Sequence, residues 1–154
     1  MHLNRFTDYA LRVLMHLAGA PGQRTTIHEV SRAHGISEQH LMKVVNRLAQ
    51  LGYLQARRGR GGGIQAARPA GEISIGRVVR DLEPMVPVEC SAEGYQGTCA
   101  YYPACSLKGV LHVAQGRFLE ALDARTLADV LPRRPPRMLA ATVARAPKAK
   151  RAGR

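Results

Sequence analysis

Aromatic residues are scarce in this chain. Of its 154 residues none is tryptophan and two are phenylalanine, which leaves few rings to stack on unpaired bases and argues against an RNA-binding protein. The apolar opening stretch contains charges and lacks a small-residue cleavage site, so we expect neither a signal peptide nor a membrane span there, and a cytoplasmic protein. No glycine-rich nucleotide motif or catalytic dyad is visible, and we therefore expect no enzyme.

Acidic residues are also few, with 11 Asp and Glu against 23 Lys and Arg, for a net charge of +12. The last 24 residues contain no acid and eight Lys and Arg, which leaves +4 for the rest of the chain. Residues 131–154 are rich in Ala, Pro and Arg and read as a disordered basic tail, either simply solvated or a nonspecific DNA-binding arm. The charge predicts a polyanionic partner, although a ribosomal or membrane-surface protein would show the same balance.

The chain has only three cysteines, Cys90, Cys99 and Cys105, and all lie in a segment rich in Gly and Pro. An odd number of thiols in a reducing compartment does not suit a disulfide framework. Structural zinc sites usually pair cysteines two to four residues apart, a spacing that is absent here. Wider spacing on an irregular segment suits an iron–sulfur cluster, and a thiol redox switch is the alternative.

A cluster normally needs four protein ligands, and this segment supplies three. His112, Glu89 and Glu93 are local candidates for the fourth ligand. The residues of the segment alone do not choose among them.

Near the start of the chain, hydrophobic spacing predicts a helix whose inner face carries Leu3, Phe6, Ala10, Val13, Leu14 and Leu17. The opposite face carries Asp8, Leu11 and Met15. A surface helix normally keeps that face polar, so this second apolar strip predicts contact with another subunit or another segment.

The next residues predict a helix-turn-helix. Thr26 and Glu29 stand at capping-box spacing, Gly35 marks the turn, and Ser37 is a good N-cap for a longer helix that ends at Gly52. Polar residues line its outer face: Glu38, Gln39, His40, Lys43, Asn46 and Arg47.

The following stretch, YLQARRGRGGGIQAARP, predicts a β-hairpin with an Arg- and Gly-rich tip. We therefore expect a mainly α fold with a small β-hairpin wing, in which residues 1–70 form a winged helix-turn-helix domain. The expected DNA contacts are Arg12, Ser37, Gln39, His40, Lys43, Arg58 and Arg60.

Residues 71–130 are expected to hold a short helix capped at Ser74 and ended by Pro84, then the cysteine segment and a long helix. The long helix has an apolar seam at alternating spacing, made by Leu107, Leu111, Ala114, Phe118 and Ala121. This seam predicts a homodimer, with an intramolecular core helix as the alternative. Two winged domains on one dimer match a pseudo-palindromic operator in double-stranded DNA.

Four features together resemble the winged-helix iron–sulfur regulators: HLNRFTDYALRVLMHLA, the wing RRGRGGG, the helix ISIGRVVRDLEP and the three-cysteine segment. The resemblance covers about residues 1 to 130 and is closest to the NsrR-like members. IscR-like members carry a histidine ligand three residues after the last cysteine, where this chain has Lys108. In NsrR-like members the aspartate matching Asp8 reaches across the dimer as the fourth ligand of a 4Fe-4S cluster.

The resemblance implies a repressor that senses nitric oxide through this cluster and releases operator DNA when the cluster is nitrosylated. The eight residues between Cys90 and Cys99 form a longer gap than the family pattern, so a 2Fe-2S cluster stays open. An IscR-like regulator of cluster supply and a cluster-free thiol redox regulator are the alternatives.

Overall fold

The computed structural model describes residues 2–59, 61–102 and 104–133. Within them the elements are α1 (Arg5–Ala18), α2 (Ile27–His34), α3 (Glu38–Gln50), β1 (Leu54–Arg57), β2 (Gly63–Ala66), α4 (Ile75–Leu82), α5 (Ser106–Asp123) and α6 (Leu127–Val130), with 3₁₀ turns at Ala70–Glu72 and Glu89–Ser91. Arg60 and residues 134–154, which include most of the predicted basic tail, lie outside the described residues.

The predicted caps are present. Thr26 and Glu29 form both bonds of the capping box at α2, and the Ser37 hydroxyl accepts from the His40 backbone N–H at the start of α3. Gly35 ends α2 with a φ of 64°, a left-handed conformation that glycine adopts without strain. The helix-turn-helix is therefore fixed by local interactions on both sides of the turn.

The core lies where α1, α2 and α3 meet the hairpin. Its fully buried members are mostly branched aliphatic side chains, among them Val13, Leu14, Val30, Leu41, Val44, Leu48 and Ile64. Helix α1 is central, because it packs against α2, α3, α4, α6 and β2.

The second apolar strip of α1 packs in part against the core of its own chain. Leu11 and Met15, predicted to face outward, are half-buried and pack against the core. The elements around α1 come from distant parts of the chain, α4 and α6 among them. Both side chains therefore pack in part against their own chain, and contact with another subunit stays a prediction.

The wing is a two-stranded antiparallel hairpin in which Leu54 pairs with Ala66 and Arg57 with Gly63. Its second strand is tied to the chain before α2, since Thr25 and Ile64 exchange two backbone hydrogen bonds of 3.0 and 2.7 Å. The fold class predicted from sequence, mainly α with a hairpin wing, is confirmed.

Helix α5 is confirmed as a long helix, and its predicted seam is partly covered within the chain. Its members Leu107, Ala114 and Ala121 are exposed. Leu111 and Phe118 are half-buried and line a cavity of about 520 Å³ against residues 83–87. Leu107 of the seam, together with Val110 and Val113 outside it, are the large exposed apolar side chains of α5, at 60%, 64% and 63%. Leu111 and Phe118 are half-buried because α4 and the segment after it lie along one side of α5, a contact between residues far apart in sequence.

Helix α4 is capped at Ser74 as predicted, and the Arg80 guanidinium binds the Asp123 carboxylate near the end of α5. Helix α6, which the sequence reading did not predict, begins at a capping box formed by Thr126 and Asp129. Within the described ranges, none of these helices combines the length and the hydropathy that crossing a lipid bilayer requires.

Candidate nucleic-acid interface and cysteine segment

The start of α3 is held by a compact cap. The Ser37 hydroxyl lies 2.9 Å from Nδ1 of His40 and also accepts from the His40 backbone N–H at 3.4 Å. The His40 ring packs obliquely near Tyr9 of α1, with centroids 6.1 Å apart. Two of the predicted DNA contacts, Ser37 and His40, are therefore exposed but already engaged with each other.

Beyond this cap, the outer face of α3 carries an exposed row at helical spacing: Gln39, Met42, Lys43 and Asn46. Three of these side chains are polar, while Met42 is apolar and 47% exposed. The sequence reading placed Gln39 and Lys43 here and did not single out Met42. Its spacing of three from Gln39 and four from Asn46 is the signal that identifies it.

The wing places Arg57 and Arg58 at its exposed tip. Glycine is required at the tip, because a Cβ on Gly62 would lie 2.3 Å from the carbonyl oxygen of Arg57. Arg60, the other predicted wing contact, is outside the described residues. The exposed Arg58 is suited to meet a phosphate backbone.

Asp8 and Arg12, for which the sequence predicted different roles, lie together on α1. The Arg12 guanidinium donates to the Asp8 carboxylate, with distances of 2.9 and 3.0 Å, and both side chains are over two-fifths exposed. Ion pairs with this exposure contribute about 0 to 1 kcal/mol. Asp8 is therefore accessible, and separating it from Arg12 requires little free energy.

Two hydrogen bonds from Asn4 to Glu83, called the Asn4–Glu83 latch, join the N-terminus of α1 to the end of α4. The Asn4 backbone N–H and the side-chain amide both donate to the Glu83 carboxylate, at 2.8 and 2.9 Å. The Asn4 side-chain oxygen also accepts from the Thr7 backbone N–H at 2.8 Å. Glu83 directly precedes the segment that leads to the cysteines, so this latch links that segment to α1.

The three cysteines stand in different surroundings. Cys90 is half-buried in the 3₁₀ turn Glu89–Ser91, Cys99 is exposed, and Cys105 is half-buried as the N-cap residue of α5. None of them forms a disulfide in the described chain. Between Cys99 and α5, the Tyr102 ring packs on Tyr95 with centroids 5.2 Å apart.

The donor chemistry of this segment fits an iron centre, because it brings three free thiols into one stretch of the chain and thiolates are the usual ligands of iron–sulfur clusters. The arrangement does not complete a site. Across residues 2–59, 61–102 and 104–133, no three Cys, His, Asp or Glu side chains lie close enough together to hold a metal ion. A cluster at this segment would therefore require the loop to draw the thiols together.

Among the described residues, large pKa shifts occur at His16 and Tyr53. His16 is 4% exposed, and its Nδ1 lies 3.2 Å from Nε2 of His34. Burial, followed by the nearby His34, lowers the pKa of His16 to about 4 against the opposing effect of Glu29. Burial and the hydrogen bond to the Asp81 carboxylate, 2.7 Å long, raise the pKa of Tyr53 to about 12.

Comparison with solved structures shows the same fold in known regulators. The oxidized form of Staphylococcus aureus CymR matches with a TM-score of 0.68 and 23% identity over 88% of this chain and 100% of that chain. CymR, the global cysteine regulator of B. subtilis, gives a TM-score of 0.66 and 23% identity over 84% of this chain and 95% of its own. IscR of T. potens gives a TM-score of 0.66 and 23% identity over 84% and 85%.

A family model described as Rrf2, iron-dependent transcriptional regulator, matches residues 3–133. The match extends from the residues before α1, through the wing and the cysteine segment, to the residues after α6. The chain therefore belongs to the Rrf2 family of transcriptional regulators.

Proposed function

We propose that this protein is a homodimeric repressor that binds operator DNA and senses nitric oxide through an iron–sulfur cluster. Cys90, Cys99 and Cys105 of one subunit and Asp8 of the partner subunit would hold the cluster, with 4Fe-4S as the expected type and 2Fe-2S as the other. The observation that carries the proposal is the polar outer face of α3 beside an arginine-bearing wing, in a chain of an iron-dependent regulator family.

DNA binding is supported by the arrangement of the reading elements. Helix α3 presents Gln39, Lys43 and Asn46 on its exposed face, and side chains of these types pair with base edges in the major groove. Arg58 at the wing tip and Arg12 on α1 supply positive charge for the phosphate backbone. Both are exposed, as phosphate contacts require.

Coupling between the signal and the reading face would pass through α1. Asp8 lies in the first turn of α1, and this helix packs directly against α3, with Tyr9 beside His40 at the start of α3. A ligand that engages Asp8 therefore acts on the helix that supports the reading face. The Asp8–Arg12 pair must open for this, and its exposure keeps that requirement small.

The size of the required coupling is modest. A hundredfold change in operator affinity corresponds to about 2.7 kcal/mol, within the usual range for allosteric coupling. When bound, an iron–sulfur cluster would supply an iron that nitric oxide attacks, with a carboxylate ligand leaving that iron the most accessible. Rearrangement of the cysteine segment would then reach α1 through the Asn4–Glu83 latch.

The test is native mass spectrometry of anaerobically purified protein during titration with nitric oxide. Wild type is compared with Asp8→Ala and with Glu93→Ala, which removes another candidate carboxylate. The proposal expects a dimer with one four-iron cluster per subunit, made labile by Asp8→Ala alone and converted stepwise to nitrosylated species. A two-iron cluster indifferent to nitric oxide would contradict nitric oxide sensing and support a regulator of cluster supply.

A cluster-free thiol regulator is the second candidate. It is favoured by the spacing of the thiols, which form no metal-holding group within the described residues, and by the exposure of Cys99. This candidate expects no iron in the same experiment. It also expects operator affinity that responds to a thiol oxidant and loses that response in Cys99→Ser.

A further inference from the structure

Met42 is an exposed apolar side chain in the middle of a polar surface. It is 47% exposed and stands in the outer row of α3 with Gln39, Lys43 and Asn46. The core of the domain is formed by the opposite side of the same helix, through Leu41, Val44, Val45 and Leu48. Packing within the chain therefore does not explain a large apolar residue at this position.

We propose, on the basis of the DNA binding proposed above, that Met42 determines sequence specificity by contacting the C5-methyl group of a thymine in the major groove. Among the edges that base pairs present there, this methyl is the apolar group, while the others are hydrogen-bond donors and acceptors. A methionine thioether is unbranched and adaptable, so it follows the shape of such a group. Met42 thus distinguishes thymine by its methyl group, with which its polar neighbours form no hydrogen bond.

The cap at the start of α3 strengthens this assignment. Ser37 and His40 are joined at 2.9 Å and are used in holding the helix N-terminus. Within the part of the chain that the structure describes, the side chains of Gln39, Lys43 and Asn46 form no hydrogen bond. Base reading therefore falls to the outer row, in which Met42 is the apolar member.

The experiment begins by selecting bound duplexes from a random library with the wild-type dimer. In the selected site, each thymine is then replaced in turn by uracil, which removes only the methyl group. Dissociation constants are measured at one fixed salt concentration for wild type and for Met42→Ala, Met42→Leu and Met42→Gln. Unfolding curves of the variants verify that they fold as wild type does, as an exposed position predicts.

For wild type, we expect one thymine in each half-site at which uracil raises the dissociation constant about fourfold, equivalent to about 0.8 kcal/mol for a buried methyl group. Met42→Ala and the similarly long but polar Met42→Gln lose this sensitivity, while Met42→Leu keeps it. The double-mutant cycle between side chain and methyl isolates the contact from any general loss of affinity.

Two other outcomes distinguish failure of the proposed Met42–thymine contact from failure of the proposed DNA binding. If a site is selected but no thymine is sensitive, or the sensitivity persists in Met42→Ala, Met42 does not read the methyl although the protein binds DNA. If no duplex is enriched by the wild-type protein, the proposed DNA binding itself is wrong.

Discussion

At the scale of single residues, α3 divides its exposed side chains between two tasks. Ser37 and His40 stabilise the helix N-terminus through their mutual contact of 2.9 Å. Lys43, one turn further along and exposed, remains to meet a ligand. Composition alone does not separate the residues that cap α3 from those that remain for a ligand. The hydrogen bond between Ser37 and His40 makes that separation.

Lys43→Ala and Arg58→Ala are expected to weaken operator binding. Each change removes an exposed positive charge from the reading face. We expect each to raise the dissociation constant at least about fivefold, equivalent to about 1 kcal/mol, and Arg58→Ala to reduce the slope of affinity against salt by about one ion. Fluorescence anisotropy over a salt series measures both quantities.

Arg125→Ala is the matched control for these variants, since Arg125 is exposed but lies after α5, in a different part of the fold from the wing. The Arg125→Ala protein should bind operator DNA with the same dissociation constant as wild type. Normal binding by both Lys43→Ala and Arg58→Ala would mean that the DNA face is wrongly assigned.

The buried His16 predicts a loss of stability in mild acid. Its pKa is lowered from 6.5 to about 4 in the folded chain, so the unfolded chain binds more protons between these values. The free energy of unfolding therefore falls as the pH drops from about 6.5 towards 4. Urea unfolding at pH 7.5 and 5.0 measures the difference.

The pH effect should depend on His16 in particular. In His16→Gln the difference between the two pH values should shrink, whatever the stability of the variant at pH 7.5. The same change at the exposed His112 should leave the difference as in wild type. Equal pH dependence in wild type and His16→Gln would show that another group causes it.

At the scale of elements, Asn4 both caps α1 and attaches it to α4. Asn4 caps the helix by accepting from the Thr7 backbone N–H at 2.8 Å and binds Glu83 with two further hydrogen bonds. The latch joins an element of the winged domain to the end of α4, next to the cysteine segment. Capping explains why α1 begins at Arg5, and the latch explains what it is attached to.

Asn4→Ala is expected to lower the free energy of unfolding by about 1 to 2 kcal/mol, since it removes the N-cap and the side-chain bond to Glu83. Urea denaturation measures this change. Asn46→Ala is the matched control, because Asn46 is exposed in the middle of α3 and caps nothing. A loss in Asn4→Ala no larger than that in Asn46→Ala would contradict the role of the latch.

At the scale of the whole molecule, the exposed strip of α5 is the surface that we propose for the homodimer. Leu107, Val110 and Val113 are each at least 60% exposed, an unusual density of apolar surface on one helix. On another side of the same helix, the half-buried Leu111 and Phe118 line the cavity against residues 83–87. A second copy on the strip would remove this apolar surface from water.

Val110→Glu tests this surface, because it places a charge at the centre of the strip. We expect the dimer to dissociate to monomer by analytical ultracentrifugation and operator binding to weaken at least about tenfold, since two linked half-sites no longer bind together. His112→Glu puts the same charge at another exposed position of α5 and should remain dimeric. A Val110→Glu dimer as stable as wild type would move the interface elsewhere.

The sequence by itself determined the features that depend on neighbouring residues. The capping box of Thr26 and Glu29, the turn at Gly35, the Ser37 cap and the glycine-rich hairpin are all present as predicted. Each rests on backbone conformation and hydrogen bonds within a few residues, which sequence reports directly. The family resemblance rested on other stretches as well, among them the helix ISIGRVVRDLEP, and the match to the Rrf2 family model confirms the family.

The tertiary structure decided which surfaces remain available. It packed Leu11 and Met15 partly against the core, and it half-buried Leu111 and Phe118 of the predicted α5 seam while leaving Val110 and Val113 exposed. It also left the three thiols outside any common metal site in the described residues. These outcomes depend on how far-apart elements pack together, and helical periodicity alone does not specify which neighbour covers which face.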